Sequence, residues 1–150
     1  MLVALRIVGF LVKKVMIYQG IEIEIMYLDL YKGLGIKAEN FTKYDTPLVG
    51  FDGKMEMPNG QITLSMVIEG KEVMMNFIVV NAFSSYMAIL ARLWIHTMCV
   101  VLSTLHVKVK FPTEQGIVVV KGDQNATWQY LVAAINHKIK QKEQVELSLL

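Results

Sequence analysis

The sequence predicts an all-β domain, a small closed barrel or sandwich, with one or two short helices inside it and a further helix at the C-terminal end. Three observations carry that expectation. Short apolar runs are separated by turn signals about every 8–12 residues, the spacing of a meandering all-β chain. Ten glycines stand beside three prolines, which favours tight turns between strands over helix-stopping loops. After Gly122 the apolar period changes from two to about 3.6, the helical value. With 150 residues, there is material for one core and not for two.

The elements follow in order. Residues 2–8 and 11–17 are two β-rich runs around Gly9-Phe10, a hairpin. From Gly20 the alternation is strict: Ile21, Ile23 and Ile25 face one way, Glu22 and Glu24 the other, a half-buried strand with its carboxylates toward solvent. Leu30, Tyr31 and Leu34 support a short helical turn ended by Gly35, and residues 37–46 are polar loop. Asp52-Gly53 between apolar flanks is a hairpin turn, and Pro58-Asn-Gly60 is a second turn, leaving a short strand at 54–57. Residues 61–68 and 73–80 flank Glu69-Gly70-Lys71, another hairpin. A strand at 87–90 and a helix at 93–98 come next. Residues 105–111 alternate with their apolar side chains at odd positions, and 117–120 pair back on them. Trp128, Leu131, Val132, Ile135 and Ile139 then fall on one helical stripe, so a tail helix over about 124–140 lays that stripe on the body.

Composition removes several classes of function. Apolar residues make up 54% of the chain and charged residues 19%, against about 45–50% and 25% for an average globular chain, so this is not a disordered segment. A net charge of +2 is too small to be the footprint of a nucleic-acid binder. The single cysteine, Cys99, excludes an internal disulfide and a cysteine cage for zinc, and fits a reducing, intracellular setting such as the cytoplasm. The N-terminal run is interrupted by Arg6, Lys13 and Lys14 and does not read as a signal peptide. The longest uncharged run, residues 73–91, contains Asn76, Asn81, Ser84 and Ser85 and divides into two strands around a turn rather than one membrane helix.

Few residues suggest chemistry by themselves. His96 and Cys99 lie three apart with no second pair to complete a metal site, so no metal and no cofactor is expected. Asp45-Thr46 resembles the start of a protease triplet, but Pro47 follows it. Glu22 and Glu24 could work as an acid and a base only if burial separated their pKa values. On composition and spacing alone this is a small intracellular β-domain.

Several stretches in order, however, resemble the protease region of plant gypsy-type retrotransposon polyproteins, aspartic proteases of the retropepsin kind. They are Gln19-Gly20 with Glu24-Ile-Met-Tyr27, the segments 29–34 and 45–54, Gly60-Gln-Ile62, Phe77-Ile-Val-Val80, Ala88-Ile-Leu-Ala-Arg92, the segment 103–112, and Gly122-Asp-Gln124. The similarity spans about residues 5–135 and rests on order and spacing rather than on any one piece. It implies a retropepsin-like closed barrel over residues 1–122 followed by a helical extension over 123–150. It also implies a homodimer in which each subunit contributes one catalytic Asp, with a polypeptide as substrate and neither nucleic acid nor membrane as partner. In that family the two carboxylates share one proton across the two-fold axis, activate a water and protonate the leaving amine. A glycine-tipped hairpin closes over the substrate; here it would be residues 48–55, with Gly50, Phe51, Asp52 and Gly53 at its tip.

At the catalytic motif the chain departs from the family. The sequence reads Ile17-Tyr18-Gln19-Gly20-Ile21, so that Tyr18 stands where the aspartate belongs and Ile21 where a hydroxyl residue braces the two loops. A phenol, which ordinarily ionises near pH 10, cannot hold a shared-proton dyad at neutral pH. Glu22 replaces a small residue, and Ala91 and Leu93 replace the Gly and Pro common around the arginine. Tyr for Asp, Ile for Ser, Glu for Gly and Leu for Pro each need one base change, as in a decaying copy. The resemblance pairs Glu24 with Arg92 beneath the catalytic loop as a structural ion pair. An aspartic-type endopeptidase domain that is inactive in this copy is the expectation. The alternatives are an active endopeptidase using another carboxylate, and a non-catalytic β-module that holds a peptide. Tyr18 and Ile21 would also lie where two subunits meet, and bulk added there costs about 1–3 kcal/mol per site.

Overall fold

A computed structural model describes residues 1–49, 53, 55–82 and 84–123. The expected tail helix over 124–140 therefore lies outside the described residues, as do Gly50, Phe51 and Asp52 of the expected flap tip.

Two hairpins supply most of the barrel. β1 (Leu2–Ile7) and β2 (Phe10–Ile17) pair antiparallel, as do β6 (Gly60–Ile68) and β7 (Lys71–Val80). Their turns, Val8-Gly9 and Glu69-Gly70, hold positive φ at both central residues (50° and 81°, 46° and 80°). That is the conformation whose twist suits a two-residue hairpin loop, and glycine takes its second position without steric cost. The first turn thus falls one residue earlier than the Gly9-Phe10 expected from the sequence. Along β6 burial alternates strictly, with Ile62, Leu64, Met66 and Ile68 inside, as the period-two pattern requires.

Two parallel pairings then close the circuit. β8 (Ala88–Leu90) lies parallel to β2, and β3 (Ile25–Tyr27) lies parallel to β7 and antiparallel to β8. β6 returns to β1 through Arg6↔Val67 and Ile7↔Met66, giving the closed order β1-β2-β8-β3-β7-β6. Short helices follow β3 and β8: α1 (Leu28–Gly33) and α2 (Arg92–Thr97). A two-stranded hairpin, β4 (Leu48–Val49) with β5 (Met55–Glu56), projects between α1 and β6. A separate sheet has the order β11-β10-β9, from β9 (Val101–Ser103), β10 (Lys108–Thr113) and β11 (Gly116–Lys121). Its inner residues Val109, Phe111 and Val120 join the same core as Phe77, Met26 and Trp94.

Two strand expectations need correction. The alternating run from Gly20 is a strand only from Ile25 onward; residues 21–24 form an irregular loop. Its carboxylates do not share a face either, since Glu22 is exposed while Glu24 is fully buried. The run 105–111 becomes strand only at Lys108, because residues 104–107 turn, leaving Leu105 the most exposed large apolar side chain among the described residues, at 84%. Among the described residues no helix is long and apolar enough to cross a membrane.

Candidate functional site

The parallel β2–β8 pairing sets Ile17 beside Leu90, so the chain leaves both strands at the same end of the barrel. After β2 comes the loop 18–24; after β8 comes α2. Backbone bonds fasten one to the other. Tyr18 donates its N–H to the Leu90 carbonyl at 2.9 Å, Arg92 donates to the Ile21 carbonyl at 3.0 Å, and Leu93 donates to the Glu22 carbonyl at 3.2 Å. The site expected from the sequence at Tyr18, Gly20 and Ile21 is thus a loop held against a helix N-terminus.

Tyr18 is half-buried, and its ring folds back over the Gly20 backbone: a Cβ added to Gly20 would collide with the ring end and the hydroxyl. Glycine is required there by close approach. Ile21 and Ile23 are half-buried on the same loop.

Glu24 has a different task from the one expected. Its side chain is fully inaccessible, and its Oε1 accepts the backbone N–H of Trp94 at 2.7 Å and of Ala91 at 3.3 Å. Its own carbonyl accepts the N–H of Ile78 at 3.0 Å. The N-cap of α2 is Ala91, which has no side-chain acceptor to offer; a carboxylate 67 residues earlier in the chain therefore satisfies the helix-start amides. Burial pushes the Glu24 carboxyl above the usual carboxylate range, with the hydrogen bonds from Trp94, Glu24 and Ala91 backbone opposing the shift. Its Oε2 and the Trp94 indole Nε1 are buried with no hydrogen-bond partner among the described residues.

The Glu24–Arg92 ion pair expected from the resemblance does not form. Arg92 Nη2 instead lies 3.3 Å from Glu22 Oε1. The physical reason is the break in alternation: once residues 21–24 leave the strand path, Glu22 turns out to meet the exposed guanidinium and Glu24 turns in beneath α2. Both partners of the actual pair are solvated, so it contributes little, about 0–1 kcal/mol.

The hairpin expected over 48–55 is present as β4 and β5, paired Leu48↔Glu56 and Val49↔Met55. Gly53, the described residue of its tip, holds φ at 79°, a left-handed conformation that suits glycine. The hairpin is rich in exposed apolar surface: Val49, Met55 and the following Met57 are 67%, 66% and 61% accessible. Tyr27 is half-buried, and that burial pushes its phenol above the usual range; a Ser84 hydrogen bond opposes this, and the nearby Tyr86 and Glu56 add to it. Nothing in the sequence pattern pointed to this polar cluster, because its members come from three separated segments. The cap role of Glu24 did leave a signal: a predicted helix start at 93 with no Ser, Thr, Asp or Asn before it must borrow an acceptor from elsewhere.

The remaining candidates stay apart. Asp45 pairs with Lys43 at 3.5 Å on the surface. His96 and Cys99 are both exposed, and among the described residues no three His, Cys, Asp or Glu side chains gather as a metal site.

A closed six-stranded barrel with a loop pinned to a short helix and a projecting hairpin defines a retropepsin-like fold. Among solved structures the chain is similar to the retroviral protease-like domain of Ddi1 from Leishmania major, with a TM-score of 0.58 and 15% identity over 82% of this chain and 92% of that one. No protein-family model and no curated protein matches the chain.

Proposed function

We propose that this chain is the retropepsin-like domain of a plant gypsy-type retrotransposon polyprotein and that it has lost peptidase activity. The position of Tyr18 carries the reading. It follows directly on β2, where the loop meets α2, and it brings a phenol where the family resemblance expects a carboxyl. The shared-proton mechanism needs two acids that lie close enough for one to stay protonated while the other holds the attacking water. The nearest carboxylates in sequence are committed elsewhere: Glu22 is turned to solvent and paired with Arg92, and Glu24 is buried beneath α2. Moving Glu24 toward a substrate would strip the Ala91 and Trp94 amides of their acceptor.

Incubation of the purified chain with an unstructured peptide at acidic and neutral pH tests the reading. No pepstatin-sensitive cleavage is expected; its appearance would overturn the loss of activity. Tyr18→Asp with Ile21→Ser should restore measurable cleavage if the barrel still dimerises across this loop.

A peptide-binding β-module is the second reading. The exposed Val49, Met55 and Met57 on and beside the hairpin support it, since apolar side chains on a projecting hairpin gain by closing over a bound chain. Peptide binding without cleavage, abolished by Met55→Lys, would favour it.

A further inference from the structure

The outer face of the β9–β10–β11 sheet has a composition that neither packing nor the proposed peptidase ancestry explains. Register places side chains in rows across the three strands. Val101, Lys110 and Val119 form one row, and Ser103, Lys108 and Lys121 form the next. Lys108 and Lys121 are direct cross-strand partners, an arrangement that sets like charges about 5 Å apart at Cβ and destabilises a sheet. None of the three lysines has a carboxylate within ion-pair distance among the described residues. His106 also borders the face, its backbone N–H donating to Ser103 Oγ at 3.2 Å. Val101, Ser103, His106, Lys108, Lys110 and Val119 together line an open groove of about 470 Å³. Val101 and Val119 flank Lys110 on either side as exposed apolar residues, 67% and 46% accessible.

We propose that this face is a docking surface for an acidic peptide segment whose carboxylates alternate with aliphatic side chains. The three lysines would take the carboxylates, and Val101 and Val119 would cover the aliphatic groups between them. Complementary charge is the ground for the choice: the face gathers three lysines with no carboxylate within ion-pair distance among the described residues. A nucleic acid would use the same cations, but no Phe, Tyr or Trp lines the groove and His106 is its one aromatic ring, short of the series of stacking platforms that usually accompanies such a charge cluster. The facing lysine pair is then understandable as a site whose repulsion is relieved on binding, a common exchange of stability for function.

The purified chain and a fluorescein-labelled octapeptide of alternating Glu and Val test this by anisotropy. Saturable binding is expected, weakened at least about ten-fold when salt is raised from low to near-molar concentration. Lys110→Glu and Lys108→Glu should each abolish it, while Lys37→Glu, at an exposed lysine away from the sheet, should leave it unchanged. Lys121→Glu is the sharper variant: it should weaken peptide binding at least ten-fold and at the same time raise the melting temperature of the free chain, because the opposed pair becomes attractive. Absence of saturable binding, equal loss with Lys37→Glu, tighter binding of an oligouridylate than of the peptide, or a lowered melting temperature for Lys121→Glu would each overturn the proposal.

Discussion

β6 and the loop 21–24 begin from the same kind of sequence and end as different structures. Both alternate apolar and polar residues, Gln61 to Met66 in one case and Ile21 to Ile25 in the other. β6 becomes a nine-residue strand, and the loop does not. The difference lies in what each backbone finds to bond. β6 meets β7 across a two-residue turn, so its ladder forms locally with nine paired positions. Residues 21 and 22 instead give their carbonyls to the N–H groups of Arg92 and Leu93, donors that only the β2–β8 pairing brings near. Alternation fits a strand, but a strand also needs a partner edge, and here a helix start took its place.

The comparison can be broken most severely at Trp94, the largest fully buried side chain among the described residues, whose backbone N–H bonds the loop's Glu24. Trp94→Ala should lower stability by about 3–5 kcal/mol, measured by urea unfolding, and should cost more than any substitution on the exposed face of β6. Glu24→Ala comes next. It leaves the Ala91 and Trp94 amides without an acceptor, at about 1–3 kcal/mol for each buried group. A cost under about 0.5 kcal/mol would show that the loop is not held through this carboxylate.

The same carboxyl gives a pH dependence of unusual sign. Because burial raises the Glu24 pKa in the folded chain, the folded state binds its proton more tightly than the unfolded state does. Its contribution to stability is then fully present below the ordinary carboxylate range and is lost as pH rises through the folded value. Glu24→Gln keeps an acceptor oxygen for the two amides while removing the titration. It should flatten that part of the melting-temperature profile and leave the neutral chain at least as stable. A profile identical to that of the unsubstituted chain would count against the shift.

At the hairpin end the effects are smaller. Val8 sits at φ 50° in a turn that favours Asn there, and a β-branched residue in the left-handed region is strained by about 1–2 kcal/mol. Val8→Asn should therefore stabilise by about 1 kcal/mol in the same unfolding assay. Smallest of all, Arg92→Ala should change stability by no more than about 1 kcal/mol, since its partner is the solvated Glu22. A loss comparable with that of Glu24→Ala would restore the buried pairing expected from the sequence.

Much of the barrel is legible in the sequence, and for one reason: both hairpins are written in local terms. The turn residues Gly9 and Gly70, and the alternation on either side of them, act within a few residues of one another. The short helices at α1 and α2, and the hairpin over 48–56, were readable on the same ground. The candidate site was legible in part. Tyr18, Gly20 and Ile21 do lie together at the loop, but the roles of Glu22 and Glu24 were misread, because two residues of equal type and polarity took opposite environments.

By itself, then, the sequence determined the two hairpins, their turns and the phenol at Tyr18, since these depend on chemistry between near neighbours. Only the tertiary structure decided which carboxylate is buried, which one meets Arg92, and that an alternating run would end against a helix. Those outcomes depend on the parallel β2–β8 and β3–β7 pairings, which join segments more than fifty residues apart and leave no periodic trace in either one.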